Sequence, residues 1–500
     1  MELEMLYDDV AWEQSDDISE TWLLQFLDID VKRPIAMFIW KHNSGDDPVF
    51  AILRKGSFNI TLQMKYTHNA INIRFSQPGA ILFPEEKTQN EVAVMRYLSD
   101  QTQIPVPFVL RSGTRAESPL NLSPFIMMSH IEHTTTIYDA LNTPGCPSEK
   151  RGSLDPNINE NQLKLLYTEL AKVVLQLYRT EFSKIGSLNQ VDDFSWEINS
   201  RPVSMNMNEL VRLGTLPRSK LPSLGTTFNT TSSYIEALGQ LNIQHLLHQR
   251  NDAIKSADDC RRKFVARQLF PKLAREKKLS LSSHESGPFK LWCDDFRPGN
   301  ILLNHRMQIA GVVDWEFAYA APVEFSHAPP WWLLIERPEK WSEGIEDWTR
   351  VFDRRLKTFL AAMKACEDTD PQLPEQMQQS WDSGDFWVIY ALLNSFAFDT
   401  IYWLKIDRRF FGPTGKGEPG EAWKERLILL NDDQRAEMEE LVTRKLEEME
   451  TRVLAWDPDE YTEGFRQEFK RRREAQEKEG GEPHQETVEE SHEEARSLQE

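Results

Sequence analysis

Apolar residues in this chain switch between helical and alternating spacing, and each switch marks a change of element. Over residues 1–45 the apolar positions cluster at helical intervals, with Trp22, Leu23, Leu24, Phe26 and Leu27 at their centre, which predicts an amphipathic helical extension packed on the next unit. From Val49 to Phe75 the pattern becomes strand-like, with the turn Arg54-Lys55-Gly56-Ser57-Phe58-Asn59 between apolar segments. Ile71, Ile73 and Phe75 share one face of the last of these strands, so Arg74 lies on the other. Residues 90–98 return to helical spacing through Val92, Met95 and Leu98.

The run Pro124 to Ile131 is apolar and then turns polar, as in a buried strand that leads into a hinge. A polar link over residues 142–159 precedes a helix predicted from Gln162 to Leu177, with Leu163, Leu166, Leu170 and Val173 among its apolar positions. Residues 190–285 read as a long, mostly helical insertion, either a substrate-specificity element or helical padding. Phe386 to Leu404 is interrupted by Asn394, Ser395, Asp399 and Thr400, whereas a membrane span needs roughly 20 nearly unbroken apolar residues. It is predicted as a buried helix. Residues 421–474 are predicted helical, and the tail 475–500, rich in Glu, Gln, Gly and Ser, disordered. The divisions are thus an extension (1–45), a small lobe (46–135), a large helical lobe (136–474) and an acidic tail.

Composition narrows the function classes. Of the 500 residues, 40% are hydrophobic, including 15 Trp and 26 Phe, enough for a substantial core. The formal charge of -21 argues against a nucleic-acid partner. Residues 431–500 carry 23 acidic and 11 basic side chains, so much of that charge lies far from the candidate chemistry. Cys146, Cys260, Cys293 and Cys366 have neither zinc-site spacing nor disulfide-scaffold density. The acidic start of the chain lacks the basic and apolar regions of a secretory signal. A cytoplasmic location without a membrane partner is expected.

The chemistry concentrates between Leu291 and Glu316. Asp295 and Asn300 bracket a tight Pro298-Gly299 loop, a short apolar strand follows, and Asp314 ends the next one. An Asp and an Asn so spaced can direct an acceptor hydroxyl and a metal ion to one centre. Phosphoryl transfer needs such oxygen-bearing groups because positioning and Mg²⁺ charge neutralisation supply most of its catalysis.

Asp295-x-x-x-x-Asn300, the strand Ile301 to Leu303 and the run Val312-Val313-Asp314-Trp315-Glu316 resemble the catalytic and metal-binding loops of the aminoglycoside phosphotransferase and choline kinase families. The run Ala321 to Phe325 into Ala328-Pro329-Pro330-Trp331-Trp332 resembles a large phosphotransferase group of filamentous fungi. The resemblance implies an α+β bilobal, protein kinase-like fold with a small antiparallel-sheet lobe and a large helical lobe, and the transfer of the γ-phosphate of ATP to a small-molecule hydroxyl. It implies Asp295 as the catalytic base or hydroxyl-orienting group, with Asn300 and Asp314 holding Mg²⁺. It further implies Gly56, Ser57 and Asn59 as the nucleotide loop, Arg74 as the phosphate-holding cation paired with Glu91, and the backbone near Met128 to Ile131 as the adenine site. The family pattern opens His-Gly-Asp, where this chain has Cys293-Asp294-Asp295, and its cation is usually Lys, where this chain has Arg74. A weak or inactive enzyme serving as an interaction platform is the alternative these departures suggest. Cys293, beside two acidic residues, is not expected to act as a nucleophile. Trp331, Trp332 and Trp341 with Glu316, Glu324 and Glu336 form either an aromatic, acidic wall for a cationic acceptor or core residues with solvent-facing acids.

Overall fold

Alternating apolar residues on neighbouring strands start the small lobe. The strands are β1 (Val49–Lys55), β2 (Asn59–Lys65), β3 (Ala70–Ser76), β4 (Val109–Gly113) and β5 (Phe125–Ser129) in a computed structural model that describes residues 4–147, 152–279, 284–366, 372–415 and 419–478. They form an antiparallel sheet in the order β1-β2-β3-β5-β4. In its register Ile60 faces Phe75, Leu62 faces Ile73 and Met64 faces Ile71, so one side of the sheet is continuously apolar. Helices α1 (Asp9–Leu24) and α2 (Ile29–His42), with the short turn Gln25–Leu27 between them, cover that side through Trp22, Phe26, Ile35 and Ile39. Asp8 caps α1, accepting the Ala11 N–H at 3.0 Å. Helix α3 (Pro84–Gln101) begins with Pro84 and carries Glu85 and Glu86 in its first turn, where the helix dipole favours negative charge. Its Val92, Met95 and Leu98 join the main core.

In the large lobe β6 (Thr135–Thr136) and α4 (Ile137–Leu141) lead to α5 (Glu160–Tyr178), whose Leu163, Leu166, Leu170 and Val173 are buried. There follow β7 (Ser187–Asp192), β8 (Ser195–Ser200), α6 (Met205–Gly214), α7 (Thr231–His248) and α8 (Ala257–Arg275). Then come β9 (Lys290–Cys293), β10 (Ile301–Leu303), β11 (Ile309–Val312) and β12 (Ala318–Ala321). Strand β9 pairs with β12, and β10 with both β11 and β6. Helices α9 (Val323–His327), α10 (Ile345–Lys364), α11 (Gln372–Ser383), α12 (Asp385–Leu393), α13 (Phe398–Ile401), α14 (Asp407–Phe411), α15 (Ala422–Arg426), α16 (Asp432–Met449) and α17 (Glu460–Lys478) complete the lobe. Among the described residues no helix is long and apolar enough to cross a membrane.

Three sequence expectations change. Residues 190–285 open with the second half of a hairpin, because β7 and β8 carry mostly half-exposed side chains and show little apolar alternation. The stretch Phe386 to Leu404 is not one helix. The Ser395 N–H donates to Asn206 Oδ1 at 3.1 Å and its carbonyl accepts from Arg267 Nη2 at 3.1 Å, so side chains replace the helical ladder between α12 and α13. Helix α17 continues past residue 475 to Lys478, and residues 479–500 of the expected tail lie outside the described residues.

Both ends of the described chain tie the lobes together. The Met5 N–H donates to Phe396 O at 3.2 Å just ahead of α1, and Tyr461 on α17 donates to Leu122 O at 2.5 Å.

Candidate functional site

Two strand pairs hold the chemistry-bearing loops. Cys293, at the end of β9, pairs with Ala318 of β12, and Ile301 of β10 pairs with Val312 of β11. One further bond, from the Val313 N–H to Asn300 O at 2.9 Å, extends the second ladder and fixes Asn300 beside the strand that ends at Asp314. Gly311 permits this hairpin to sit against the hinge, since a Cβ there would lie 2.3 Å from Ile131 Cδ1. Asp314 has φ 58°, a left-handed conformation that Asp tolerates better than most residues and that recurs at functional sites.

The hairpin forms one wall of an inter-lobe cleft of about 420 Å³. Gly56, Ser57, Asn59, Arg74, Glu91, Met128, Ile131, Asp295 and Asp314 all line it. Asn300 lies directly behind, donating from Nδ2 to Asp295 O at 2.8 Å and to Asp295 Oδ2 at 3.2 Å. The ten residues singled out from the sequence therefore converge, although they come from six segments of the chain.

Within the cleft the charges are ordered by ion pairs. Arg74 Nη2 pairs with Glu91 Oε1, and Arg74 Nη1 with Asp314 Oδ1 at 2.5 Å. A guanidinium can bridge two carboxylates in this way because its donors form a planar fork. Beside it Lys87 pairs with Glu316 and donates to Asn59 Oδ1 at 2.8 Å, while Asn59 Nδ2 donates to Glu316 Oε2 at 2.9 Å. Burial works against both Glu91 and Glu316. It keeps the Glu91 carboxyl above its ordinary range despite Arg74 and Lys87, whereas Lys87, Arg74 and two side-chain hydrogen bonds hold Glu316 below it.

The turn expected to serve as the nucleotide loop is held by bonds within the small lobe. The Gly56 N–H donates to Asn59 O at 2.8 Å within the hairpin, and the Gly56 carbonyl accepts from Gln77 Nε2 at 2.7 Å. Asn59 turns inward to Glu316 and Lys87 instead of outward. Ser57 is exposed at the cleft edge.

Asp294 and Asp295 have different tasks. Asp294 accepts from Trp292 Nε1 at 2.7 Å, the Met205 N–H at 2.9 Å and Tyr319 OH at 3.2 Å, so its oxygens are occupied in holding the loop. Asp295 points into the cleft, 2.9 Å from Arg297 Nε. Burial pushes the Asp295 carboxyl up to about 7, Arg297 opposes the shift, and Glu316 and Asp314 add to it. Such a group exchanges protons near neutrality. Burial also raises the Cys293 thiol well above its ordinary value, in keeping with the expectation that it is no nucleophile.

The donor set suits Mg²⁺. Asp314 lines the cleft and meets Arg74 through Oδ1 alone, and Asn300 uses its Nδ2 on Asp295, so each keeps an oxygen outside those contacts that could serve a cation. Among the described residues no three His, Cys, Asp or Glu form an all-protein metal cage. Mg²⁺ is ordinarily held by one or two protein oxygens together with substrate phosphates and water.

Sequence reasoning missed Lys87, Arg297 and the role of Glu316. The one sequence signal for Lys87 was its place four residues before Glu91 on one helix face; its burial shows only in the fold. Of the two readings of these tryptophans and acids, a single aromatic, acidic wall does not form. Trp331 and Trp332 line a second cavity beside the loop that carries Asp294, Trp341 donates to Asp347 Oδ2 at 3.0 Å, Glu316 faces the cleft and Glu324 a third cavity.

No curated protein matches the chain. Similar solved structures include a thermostable mutant of aminoglycoside phosphotransferase APH(4)-Ia in ternary complex with ADP and hygromycin B, 14% identical, covering 77% of this chain and 100% of that one, with a TM-score of 0.38. Another is the Plasmodium vivax ethanolamine kinase, 13% identical, covering 79% of this chain and 85% of that one, with a TM-score of 0.37. A third is a putative aminoglycoside phosphotransferase from Ralstonia eutropha, 14% identical, covering 82% of this chain and 98% of that one, with a TM-score of 0.39. Membership rests on firmer ground than these distant likenesses: the phosphotransferase enzyme family matches residues 74–355, over half the chain and the whole span from Arg74 to Asp314, and the chain belongs to that family.

Proposed function

We propose that this phosphotransferase moves the γ-phosphate of ATP, with Mg²⁺, to a hydroxyl of a small molecule. The observation that carries the reading is the arrival of Asp295, Asn300, Asp314 and Arg74 at one cleft: a base, two metal-holding oxygens and a phosphate-binding cation. Asp295 accepts the proton of the acceptor hydroxyl as its oxygen forms a bond to the γ-phosphorus. The bond from that phosphorus to the bridging oxygen breaks, and ADP leaves with the electron pair. Mg²⁺, when bound by Asn300 and Asp314, neutralises charge on the phosphates. Arg74, anchored by Glu91, steadies the phosphates from the small lobe, while backbone groups between Met128 and Ile131 receive the adenine and Ser57 closes over the phosphates. Four cysteines, none in a disulfide, suit a reducing compartment such as the cytosol.

The test is the thermal shift of the wild-type chain and of Asp314→Ala with ATP, with and without Mg²⁺. Ligand at about 100 times its dissociation constant stabilises by roughly 2.7 kcal/mol. The expected result is a Mg²⁺-dependent rise in the wild type that is lost in the variant, followed by acceptor-dependent ADP release. No shift in either protein overturns the reading.

A further inference from the structure

The turn that carries Gly56 and Ser57 along the edge of the cleft is held from behind by one buried side chain, Gln77. Gln77 is the first residue past β3. Its backbone N–H donates to Phe58 O at 2.9 Å and its Nε2 to Gly56 O at 2.7 Å, so it staples the turn on both sides of Ser57. The amide fits in one orientation only. A carbonyl accepts and never donates, so Nε2 must lie toward Gly56 and Oε1 on the far side. There Oε1 accepts from Ser19 Oγ at 2.6 Å.

Ser19 belongs to the N-terminal extension. On α1 it lies one turn after Ser15 on the same face, and both hydroxyls are buried against the loop that joins β3 to α3. Ser15 Oγ donates to Gly79 O at 2.8 Å and accepts from Arg212 Nε of α6 at 2.6 Å. Gly79, with φ 80°, lets the helix come this close, since a Cβ there would lie 2.5 Å from Ser15 O. Ser15 thus seats α1 between the small-lobe loop and the large lobe, and Ser19 passes that position on to Gln77.

What Gln77 fixes is the plane of one peptide. The bond between Gly56 and Ser57 is trans, so its carbonyl and its N–H point in opposite directions. With the carbonyl drawn in to Gln77, the Ser57 N–H faces away from the buried side, and among the described residues no acceptor meets it. A backbone N–H so placed suits a phosphate oxygen, and a hydrogen bond to an anion is stronger than one between neutral groups. Fixing the peptide beforehand removes the ordering that a loose turn would undergo on binding.

We propose that Gln77 is a positioning residue for the nucleotide: it sets the peptide between Gly56 and Ser57 so that the Ser57 N–H meets a β- or γ-phosphate, and Ser19 holds Gln77 in the orientation that does so. The inference rests on the phosphotransfer reading above. It adds to that reading a residue that does not itself line the cleft, and it makes the N-terminal extension part of the nucleotide site.

Displacement of mant-ATP from the full chain in the presence of Mg²⁺ gives dissociation constants for ATP and for AMP, which lacks the β- and γ-phosphates. The readout is the preference for ATP over AMP, because a general loss of stability weakens both alike. Gln77→Met removes both side-chain bonds and should weaken ATP about tenfold, the order of one charge-assisted hydrogen bond, and AMP less than about twofold. Ser19→Ala keeps Gln77 but frees its amide to turn, and should lower the preference about threefold. Ser15→Ala loosens the same helix one turn earlier without touching Gln77, and should leave the preference at its wild-type value. A preference unchanged in Ser19→Ala, unchanged in a folded Gln77→Met, or lowered as far by Ser15→Ala overturns the proposal. Binding of mant-ATP to the wild-type chain is read first: its absence brings down the phosphotransfer reading and this inference with it.

Discussion

Arg74 and Asp314 meet at 2.5 Å across the inter-lobe cleft, and the same guanidinium holds Glu91 on α3. One side chain of the small lobe thus positions both the helix behind the proposed phosphate site and the aspartate proposed to hold metal. Lysine, a point charge, cannot span both carboxylates with a planar fork. Arg74→Lys is therefore expected to fold, with a melting temperature a few degrees lower and KM for ATP raised about tenfold, a difference of about 1.4 kcal/mol. Arg74→Ala leaves Glu91 buried without its main cation and should cost about 3–5 kcal/mol of stability. Denaturant titrations and initial-rate kinetics on the two variants check this; equal stability and equal KM in Arg74→Lys would show that the double pairing does nothing.

Lys87 and Glu316 form the second buried pair, and Asn59 hydrogen-bonds to both. Glu316 has a folded pKa below its ordinary value, so its contribution to stability is present above the unfolded value and is lost as pH falls through the folded one. Lys87→Met removes the nearest cation. It should lower stability by about 3–5 kcal/mol near pH 7, and pairing it with Glu316→Gln should recover a large part of that loss. A double-mutant cycle by urea unfolding measures the coupling, and simply additive losses would contradict it.

These two pairs mark what the sequence could disclose. Arg74, Asp295, Asn300 and Asp314 were legible because strand alternation and fixed spacing within short loops determine where such groups lie. The small-lobe sheet was legible for the same reason, from Ile71, Ile73 and Phe75. Lys87 lies in a polar stretch of α3, and only tertiary packing reveals that its ammonium is buried. The break after Leu393 depends on Asn206 and Arg267, which are more than a hundred residues away in sequence, so local hydropathy could not report it.

Burial pushes the Asp295 carboxyl up to about 7, and a general base must be ionised to act. The value of kcat/KM is expected to rise with pH up to about 7 and then level off. Asp295→Asn should reduce kcat by about 10²–10⁴-fold while leaving ATP binding intact. The stability effect has the opposite sign. With the folded pKa raised, the cost of burying the charge is full above about 7 and fades as pH falls toward the unfolded value, so Asp295→Asn should melt above the wild type at pH 8 by a margin that shrinks on acidification. Asp294→Asn provides the contrast. Its new amide would face the donors Trp292, Tyr319 and Met205, costing about 1–3 kcal/mol of stability without moving the inflection in the rate. An inflection that moves with Asp294→Asn, or persists in the residual activity of Asp295→Asn, would assign the base elsewhere.

Cys293 stands where the family pattern has His, and the structure provides a different support for the loop. Its backbone is paired with Ala318, and its Sγ donates to the Glu316 carbonyl at 3.4 Å, so β12 holds the end of β9 without an imidazole. The thiol is buried and its pKa raised well above the ordinary value, first by burial and then by Asp295 and Asp294. Since the thiolate is the reactive form, iodoacetamide at pH 7.5, about a unit below the ordinary thiol pKa, should modify the partly exposed Cys146 and Cys366 while sparing Cys293 and the buried Cys260. Activity should survive that treatment. Cys293→Ser should also retain most of kcat, whereas Cys293→His must fit a larger ring into a closed site and should lose stability by about 1–3 kcal/mol. Peptide mass spectrometry after alkylation, together with melting curves of the two variants, decides the matter: rapid labelling of Cys293 with loss of activity would mean that the loop opens far more readily than its strand pairing allows.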